Sequence, residues 1–359
     1  MATPAHAIID LRSDVFVPTS DAMWEAMRRA PVRWATFGED ALVDALEQRV
    51  AELLGKKAAL LVPTCSTANL VALMTLAERG SQVVVGSTAH ISTSEAGGVS
   101  SICGAFPRLL DDRTGYLDPA EVESLIASQV ARQQPRVSVI CTENSHNNAG
   151  GVAAGRETLA HIKGVAESHG AKIHLDGARL LNSAAALGVS AGDLAADADT
   201  VSISLNKGLG APFGAVLAGP VDTLVEARGN LKRLGLGSIH RAGLYAAAGL
   251  VALDTMGRHL ADDNRRASDL ARSLSSIAGI KVLPADARAR TNIVVLDLGG
   301  ADSAARFLRR LTDRGVLGFS LSATRVRFVT HRGISDSQVQ TAATAIASSI
   351  EPRSSAAKR

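Results

Sequence analysis

Lys172–Ile173–His174–Leu175–Asp176–Gly177–Ala178–Arg179 and Ser202–Ile203–Ser204–Leu205–Asn206–Lys207–Gly208 decide how this chain is read. Each begins as a short apolar run of the kind a buried strand makes, and each ends on a charged side chain where the strand gives way to a loop. Either charge alone reads as an ordinary solvated loop residue, because Asp and Lys are mostly exposed. Held at neighbouring strand ends, the two place a carboxylate and a primary amine within reach of one ligand.

The same strand–helix–strand pattern recurs on both sides of this pair. Residues 58–62, 82–85, 137–141 and 215–218 are apolar runs without two-residue alternation, which predicts a mainly parallel sheet covered on both faces, an α/β fold. A helix is predicted from residue 39, with Leu42, Leu46, Val50, Leu53 and Leu54 on one face and Gly55 as its cap. Further helices are predicted from residue 63 to about 76, over 157–169, and over 242–253, the last apolar all round and hence buried in the domain or against another subunit.

Ligands of such sheets lie beyond the strand carboxyl ends, and the polar clusters of this chain fall there. Thr64–Cys65–Ser66–Thr67 stands at a strand-to-helix junction, where hydroxyls and free N–H groups hold an anion or simply cap the helix. His90 follows one strand, and Glu143–Asn144–Ser145–His146–Asn147 follows another. Gly208, Gly210 and Gly214 after Lys207 let the backbone pass close to a flat ligand.

Composition turns charged over residues 258–264, which marks a domain junction. The expected division is a large domain of residues 1–255, including the N-terminal segment 1–20, and a small α+β domain of residues 256–359. The small domain is predicted to hold strands at 280–282, 292–296 and 326–329 and helices near 304–312 and 336–349. Ser335 with Gln338 has capping-box spacing for the last helix. Residues 354–359 are expected to fray.

The 359 residues are 46% hydrophobic, 20% charged and only 3% aromatic, which fits an α/β globule rather than a disordered chain. Thirty-eight basic against 35 acidic residues leave a net charge of +3, small and unclustered, so nothing favours nucleic acid or an anionic membrane as partner. Cys65, Cys103 and Cys141 are scattered and show neither a disulfide framework nor a zinc spacing; no metal is expected. With no secretory signal pattern at the start and no apolar run of membrane-spanning length, a soluble, cytoplasmic protein is expected.

Seven stretches, in order from residue 8 to 331, resemble the L-threonine aldolases. These are fold type I pyridoxal-phosphate enzymes of the β-eliminating lyase group. The stretches are Ile9–Asp10–Leu11–Arg12–Ser13–Asp14, Phe37–Gly38–Glu39–Asp40, Glu95–Ala96–Gly97–Gly98, Glu143–Asn144–Ser145–His146–Asn147, His174–Leu175–Asp176–Gly177–Ala178–Arg179, Asn206–Lys207–Gly208–Leu209–Gly210–Ala211–Pro212 and Val329–Thr330–His331. The strand-end pair suits that cofactor, which needs a carboxylate on its ring nitrogen and a lysine on its aldehyde carbon.

The resemblance implies that Lys207 holds pyridoxal 5'-phosphate as a Schiff base and that Asp176 pairs with its ring nitrogen. Cys65 and Ser66 would donate to the phosphate, and His90 would stack on the ring. Ser13, Arg179 and Arg327 would bind the amino acid carboxylate, a task suited to guanidinium forks. The implied reaction splits a β-hydroxy-α-amino acid into glycine and an aldehyde, with His90 or His146, alone or with a water, as proton carrier. A homo-oligomer, dimer or tetramer, with sites at subunit interfaces is also implied.

The chain departs from the family pattern at Phe37, where a tyrosine is usual, and at Cys65, where a glycine is usual. Ser94 stands where an aromatic is usual, Arg233 replaces a lysine, and His240 replaces an arginine. These point to a preferred substrate other than threonine, with a larger or more polar β-substituent. Another reaction on the same cofactor (β-elimination, racemisation or β-substitution) and a non-catalytic cofactor-binding role are the alternatives.

Overall fold

The fold is seen in a computed structural model, which describes residues 8–34, 39–237, 239–284, 289–299 and 303–350. Phe37, one of the departures noted above, and the expected frayed end at 354–359 lie outside the described residues. Thirteen strands occur among them: β1 (Ile9–Asp10), β2 (Ala58–Val62), β3 (Gln82–Gly86), β4 (Phe106–Leu110), β5 (Val137–Glu143), β6 (Lys172–Gly177), β7 (Thr200–Ser204), β8 (Ala215–Gly219), β9 (Lys281–Leu283), β10 (Ile293–Asp297), β11 (Val316–Leu317), β12 (Phe319–Ser320) and β13 (Arg325–Val329).

Seven strands form one sheet in the order β2-β8-β7-β6-β5-β3-β4. All pairings from β7 to β4 are parallel, and β8 alone runs antiparallel to its neighbours β2 and β7. The mainly parallel α/β sheet expected from the sequence is therefore present. Its central strands are buried along most of their length, as their uninterrupted apolar runs require. Strand β4 escapes an apolar-pattern reading because it is an edge strand: Phe106 and Leu109 are exposed, and Pro107, with no N–H to donate, is tolerated only at an edge.

A second sheet, β12-β13-β10-β9, is antiparallel throughout. The N-terminal segment joins this part of the molecule: β1 pairs in parallel with β11, and Val329 N–H donates to Leu11 O. Ile9 and Leu11 consequently pack in a core with Phe307, Val326 and Phe328, separate from the core around the large sheet. The charged stretch at 258–264 lies within helical structure, where a 3-10 turn Gly257–His259 runs straight into the helix Leu260–Ser275. Leu260 at its head packs in the large core, and Leu270 and Leu274 pack in the other, so one rigid helix spans both.

The helix Ala242–Met256 resolves the choice left by its all-round apolarity: Ala246, Ala248 and Ala252 are buried within the chain's own large core. The capping box at Ser335 and Gln338 forms as the spacing predicts. Among the described residues no helix is long and apolar enough to cross a membrane.

Candidate active site

Register places the site. β5 and β6 pair with Glu143 opposite Asp176, and β6 and β7 pair with Asp176 opposite Ser202. The carboxyl ends of three adjacent strands therefore open together, at the place a parallel sheet offers to ligands. Gly177 allows this closeness, since a Cβ there would stand 2.6 Å from the Ser202 carbonyl oxygen.

Asp176 is buried at the end of β6. Its Oδ2 accepts from Asn69 Nδ2 at 2.8 Å and its Oδ1 from the Ala178 N–H at 3.1 Å. Lys207 stands in the turn after β7, which is closed by Gly210 N–H to Lys207 O at 2.8 Å and Ala211 N–H to Leu205 O at 2.9 Å. Its positive charge favours the ionised forms of both Asp14 in the N-terminal segment and Cys65 at the head of the helix Cys65–Leu76, against the burial that opposes them.

That helix starts beside the site. Thr64 caps it by accepting from Thr67 N–H at 3.0 Å, and the amides of Cys65 and Ser66, in its first turn, have no intrahelical partner. Cys65 is the first helical residue and has none of the positive φ that would strain a side chain in a glycine's place. Burial pushes its thiol up to about 12, so it stands as a neutral donor.

The two arginines converge on one acceptor. Arg327 Nη1 donates to Asn147 Oδ1 at 2.8 Å and Arg179 Nη1 to the same oxygen at 3.4 Å. Arg179 also grips Asp14 with both edges of a fork, Nε to Oδ2 at 2.8 Å and Nη2 to Oδ1 at 2.7 Å. Burial alone would raise Asp14, but the Arg179 charge and hydrogen bonds overcome it and hold the carboxyl far below its usual range. Arg327 is less provided for. Its buried Nε has no hydrogen-bond partner among the described residues, its guanidinium stands 4.9 Å over the Phe319 ring, and burial together with Arg179 lowers it to about 10. Ser13 lies in the segment that closes this corner, between Arg12, whose carbonyl accepts from Arg327 Nη2 at 3.1 Å, and Asp14.

The two histidines are held differently. The His90 ring places Nδ1 2.9 Å from Glu95 Oε1, and its main-chain N–H donates to Glu143 Oε2 at 2.7 Å. No described residue bonds its Nε2. The hydrogen bond that the ring donates to Glu95 raises it above the usual histidine value. His146 is buried with both nitrogens in use, Nε2 2.7 Å from Asp112 Oδ2 and Nδ1 accepting from Ala149 N–H at 3.2 Å.

Four further residues of the site carry no local signal of a role: Glu95, Asp14 and Asn147 lie within the family-like stretches, and Asn69 lies in the helix that follows Thr64. What distinguishes them is contact across the chain, which spacing alone does not reveal. Arg233 and His240 are exposed, with Arg233 Nη1 donating to Asn230 Oδ1 at 2.5 Å.

Comparison with known proteins places the chain among relatives. The chain is 36% identical over 336 residues to low-specificity L-threonine aldolase 1 of Arabidopsis thaliana, covering 92% of this chain and 93% of that protein. It is 34% identical over 333 residues to the low specificity L-threonine aldolase of Escherichia coli K12, covering 92% and 96%. The solved structure of a Leishmania major threonine aldolase superposes with a TM-score of 0.78 at 19% identity, covering 96% of this chain and 100% of the other, and shows the shared fold. The sequence profile of the Beta-eliminating lyase family matches residues 10–298. The chain belongs to the β-eliminating lyase family, in the fold of the pyridoxal-phosphate enzymes of fold type I.

Proposed function

We propose that this chain is a pyridoxal-phosphate-dependent aldehyde-lyase. It cleaves, or in reverse forms, the Cα–Cβ bond of a β-hydroxy-α-amino acid to give glycine and an aldehyde, a reading supported by relatives named as low-specificity L-threonine aldolases. The observation that carries this reading is the pair of adjacent strand ends bearing Asp176 and Lys207, facing two arginines that meet at Asn147.

The residues present fit the cofactor. A buried carboxylate, an amine with no hydrogen-bond partner among the described residues, and a helix start with free amides are the three holds that a pyridine nitrogen, an aldehyde and a phosphate need. Lys207, Asp176, and Cys65 with Ser66 would supply them, and His90 would cover the ring. When bound, the cofactor supplies an electron sink for the pair released from the Cα–Cβ bond.

The chain's own groups do the remaining work. Arg327, with its buried Nε unpartnered, receives the substrate carboxylate, aided by Arg179 and Ser13. His90 Nε2 takes the β-hydroxyl proton as the aldehyde leaves, and a proton returned to Cα completes glycine. Between the two histidines the hydrogen bonds favour His90, because both His146 nitrogens are committed to Asp112 and Ala149.

Beside the site, a cleft of about 1040 Å³ is lined by Thr88, Thr93, Ser94, Asn148, Phe319 and Ser320. Phe319 is the ring under Arg327, and Ser94 follows the short helix His90–Thr93 that carries His90. This supports a substrate with a bulkier, more polar β-substituent than threonine. We also place the division between the two units near residue 255, the chain as a homo-oligomer, and its compartment as the reducing cytoplasm, where three free cysteines are at home.

Two measurements test the function. The purified protein should show a visible cofactor band that Lys207→Ala removes. Incubation with β-hydroxy amino acids should release glycine and aldehyde in equal amounts, whereas a keto acid product would assign β-elimination instead. Faster turnover of threonine or allo-threonine than of bulkier analogues would refute the substrate preference alone.

A further inference from the structure

Asn69 is buried in the helix Cys65–Leu76 and uses all of its hydrogen-bonding capacity within the site. Its Nδ2 donates to Glu95 Oε1 at 2.9 Å and to Asp176 Oδ2 at 2.8 Å. Its Oδ1 accepts from Ser202 Oγ at 2.9 Å and lies 3.0 Å from His174 Nε2. Two carboxylate oxygens on one side leave only one orientation for the amide, NH₂ toward them and oxygen away. His174 must then donate from Nε2, which leaves its Nδ1 to accept from Thr200 Oγ1 at 2.9 Å. Burial lowers this ring to about 4, so it is neutral, as that arrangement needs.

The same logic extends to the proton carrier. Glu95 Oε1 accepts from Asn69 and lies 2.9 Å from His90 Nδ1. Imidazole is the stronger base of that pair, so the shared hydrogen stays on Nδ1 and the lone pair of the neutral ring is on Nε2. A base oriented by a carboxylate on its far nitrogen is the arrangement that fixes a tautomer for proton transfer in hydrolytic triads.

We propose that Glu95 and Asn69 are positioning residues for the reaction: Asn69 clamps Glu95 and Asp176 together, and Glu95 holds His90 as its Nδ1–H tautomer with Nε2 as the proton-accepting atom. The inference rests on the proposed role of His90, although the tautomer itself does not depend on that role. It joins the group proposed to hold the cofactor's ring nitrogen to the group proposed to take the substrate proton through a single buried amide.

Among the described residues, the charged groups that act on His90 are Glu95 on its own loop, Asp176 from β6 and Glu143 from the end of β5. Glu95 acts most strongly, through its hydrogen bond. A base must be neutral to accept a proton, so kcat/KM rises as pH climbs through the His90 value. Removing the Glu95 charge should lower that value, and Glu95→Gln should shift the acidic limb of the profile down by about one pH unit. Glu95→Asp, which keeps the charge, should move the limb back toward its original position.

A second readout is independent of activity. In the full-length, cofactor-loaded protein labelled with ¹⁵N-histidine, the neutral His90 ring should carry its hydrogen on Nδ1. A limb unmoved in Glu95→Gln, or a wild-type ring protonated on Nε2, would overturn the proposal. The Nδ1–H tautomer in a protein that releases no aldehyde would instead leave the clamp standing and refute the aldolase reading, so the two failures are separable.

Discussion

Asp14 changes what Arg179 can be. From the sequence, Arg179 is one of two hooks for a substrate carboxylate, but folding gives it a permanent carboxylate from a residue 165 positions away. The pair is buried on both sides, with side-chain exposures of 6% and 0%. Taking one partner from such a pair costs about 3–5 kcal/mol, because the other charge is left in a poor solvent. Asp14→Asn should therefore lower the unfolding free energy by about that amount in urea titration. The sign of the pH effect follows from the depressed carboxyl: the stability that Asp14 contributes is full above its unfolded value and is lost as pH falls toward its folded one. Asp263 has the opposite sign. It is fully buried, neither oxygen is hydrogen-bonded among the described residues, the Arg266 Nη1 stands 3.6 Å away, and burial pushes the carboxyl up to about 7. Its folded form holds a proton that the unfolded chain has already released, so it subtracts stability as pH rises from the unfolded value toward 7. Asp263→Asn should melt higher than the parent at pH 8, and the gap should shrink at pH 5.

The elements that were legible in the sequence are those whose apolar pattern answers to a single environment. β2 and the helices Ala304–Thr312 and Asp336–Ser349 fall where patterning and caps put them, because each has one buried face and a clear stop. β4, the helix Asp21–Arg29 and the helix Pro119–Ala131 did not declare themselves. β4 has mixed exposure, and the other two carry exposed charges between few buried residues. The site shows the same division. Asp176 and Lys207 are readable because they end buried strands, whereas Asn69 contacts Asp176 across 107 residues and no local pattern encodes that. Close approach between elements is equally silent in sequence. Gly86, at the end of β3, lies against Asp112, and a Cβ there would fall 1.8 Å from Asp112 Oδ2. Asp112 in turn holds Thr88 N–H at 2.9 Å and His146 Nε2 at 2.7 Å. Gly86→Ala must push this carboxylate off its partners and should cost about 2–4 kcal/mol, seen as a fall in melting temperature. Gly229→Ala, in the helix Val221–Arg233 with nothing within 4 Å of its Cβ position, is the matched control. It should be neutral or stabilising by about 0.5–1 kcal/mol.

At the scale of the whole molecule, one helix joins the core around the large sheet to the core that holds Phe307 and Phe328, and Ile9–Asp10 pairs with Val316–Leu317. The site lies where these parts meet: Asp14 comes from the N-terminal segment, Arg327 from β13 of the small sheet, and Asp176 and Lys207 from the large one. Their convergence holds Arg179, Asn147 and Arg327 in one buried group, so the anion hook is a product of the assembled fold rather than of either sheet. Four large apolar side chains of the segment that follows Asp14 face solvent. Phe16, Trp24, Val32 and Trp34 are 47%, 48%, 62% and 53% exposed within one short stretch of sequence. The helix Asp21–Arg29 that carries Trp24 lies against Ala242–Met256, the helix that follows exposed Arg233 and His240. Large apolar side chains clustered this way mark surfaces that another protein covers. Light scattering should give a mass of at least twice 37.1 kDa. Trp24→Glu should then shift the population toward the monomer and lower activity together with it, if residues such as Arg233 and His240 complete a neighbour's site. A monomer with undiminished turnover would show instead that each chain carries a whole site, and that this apolar stretch serves some other contact.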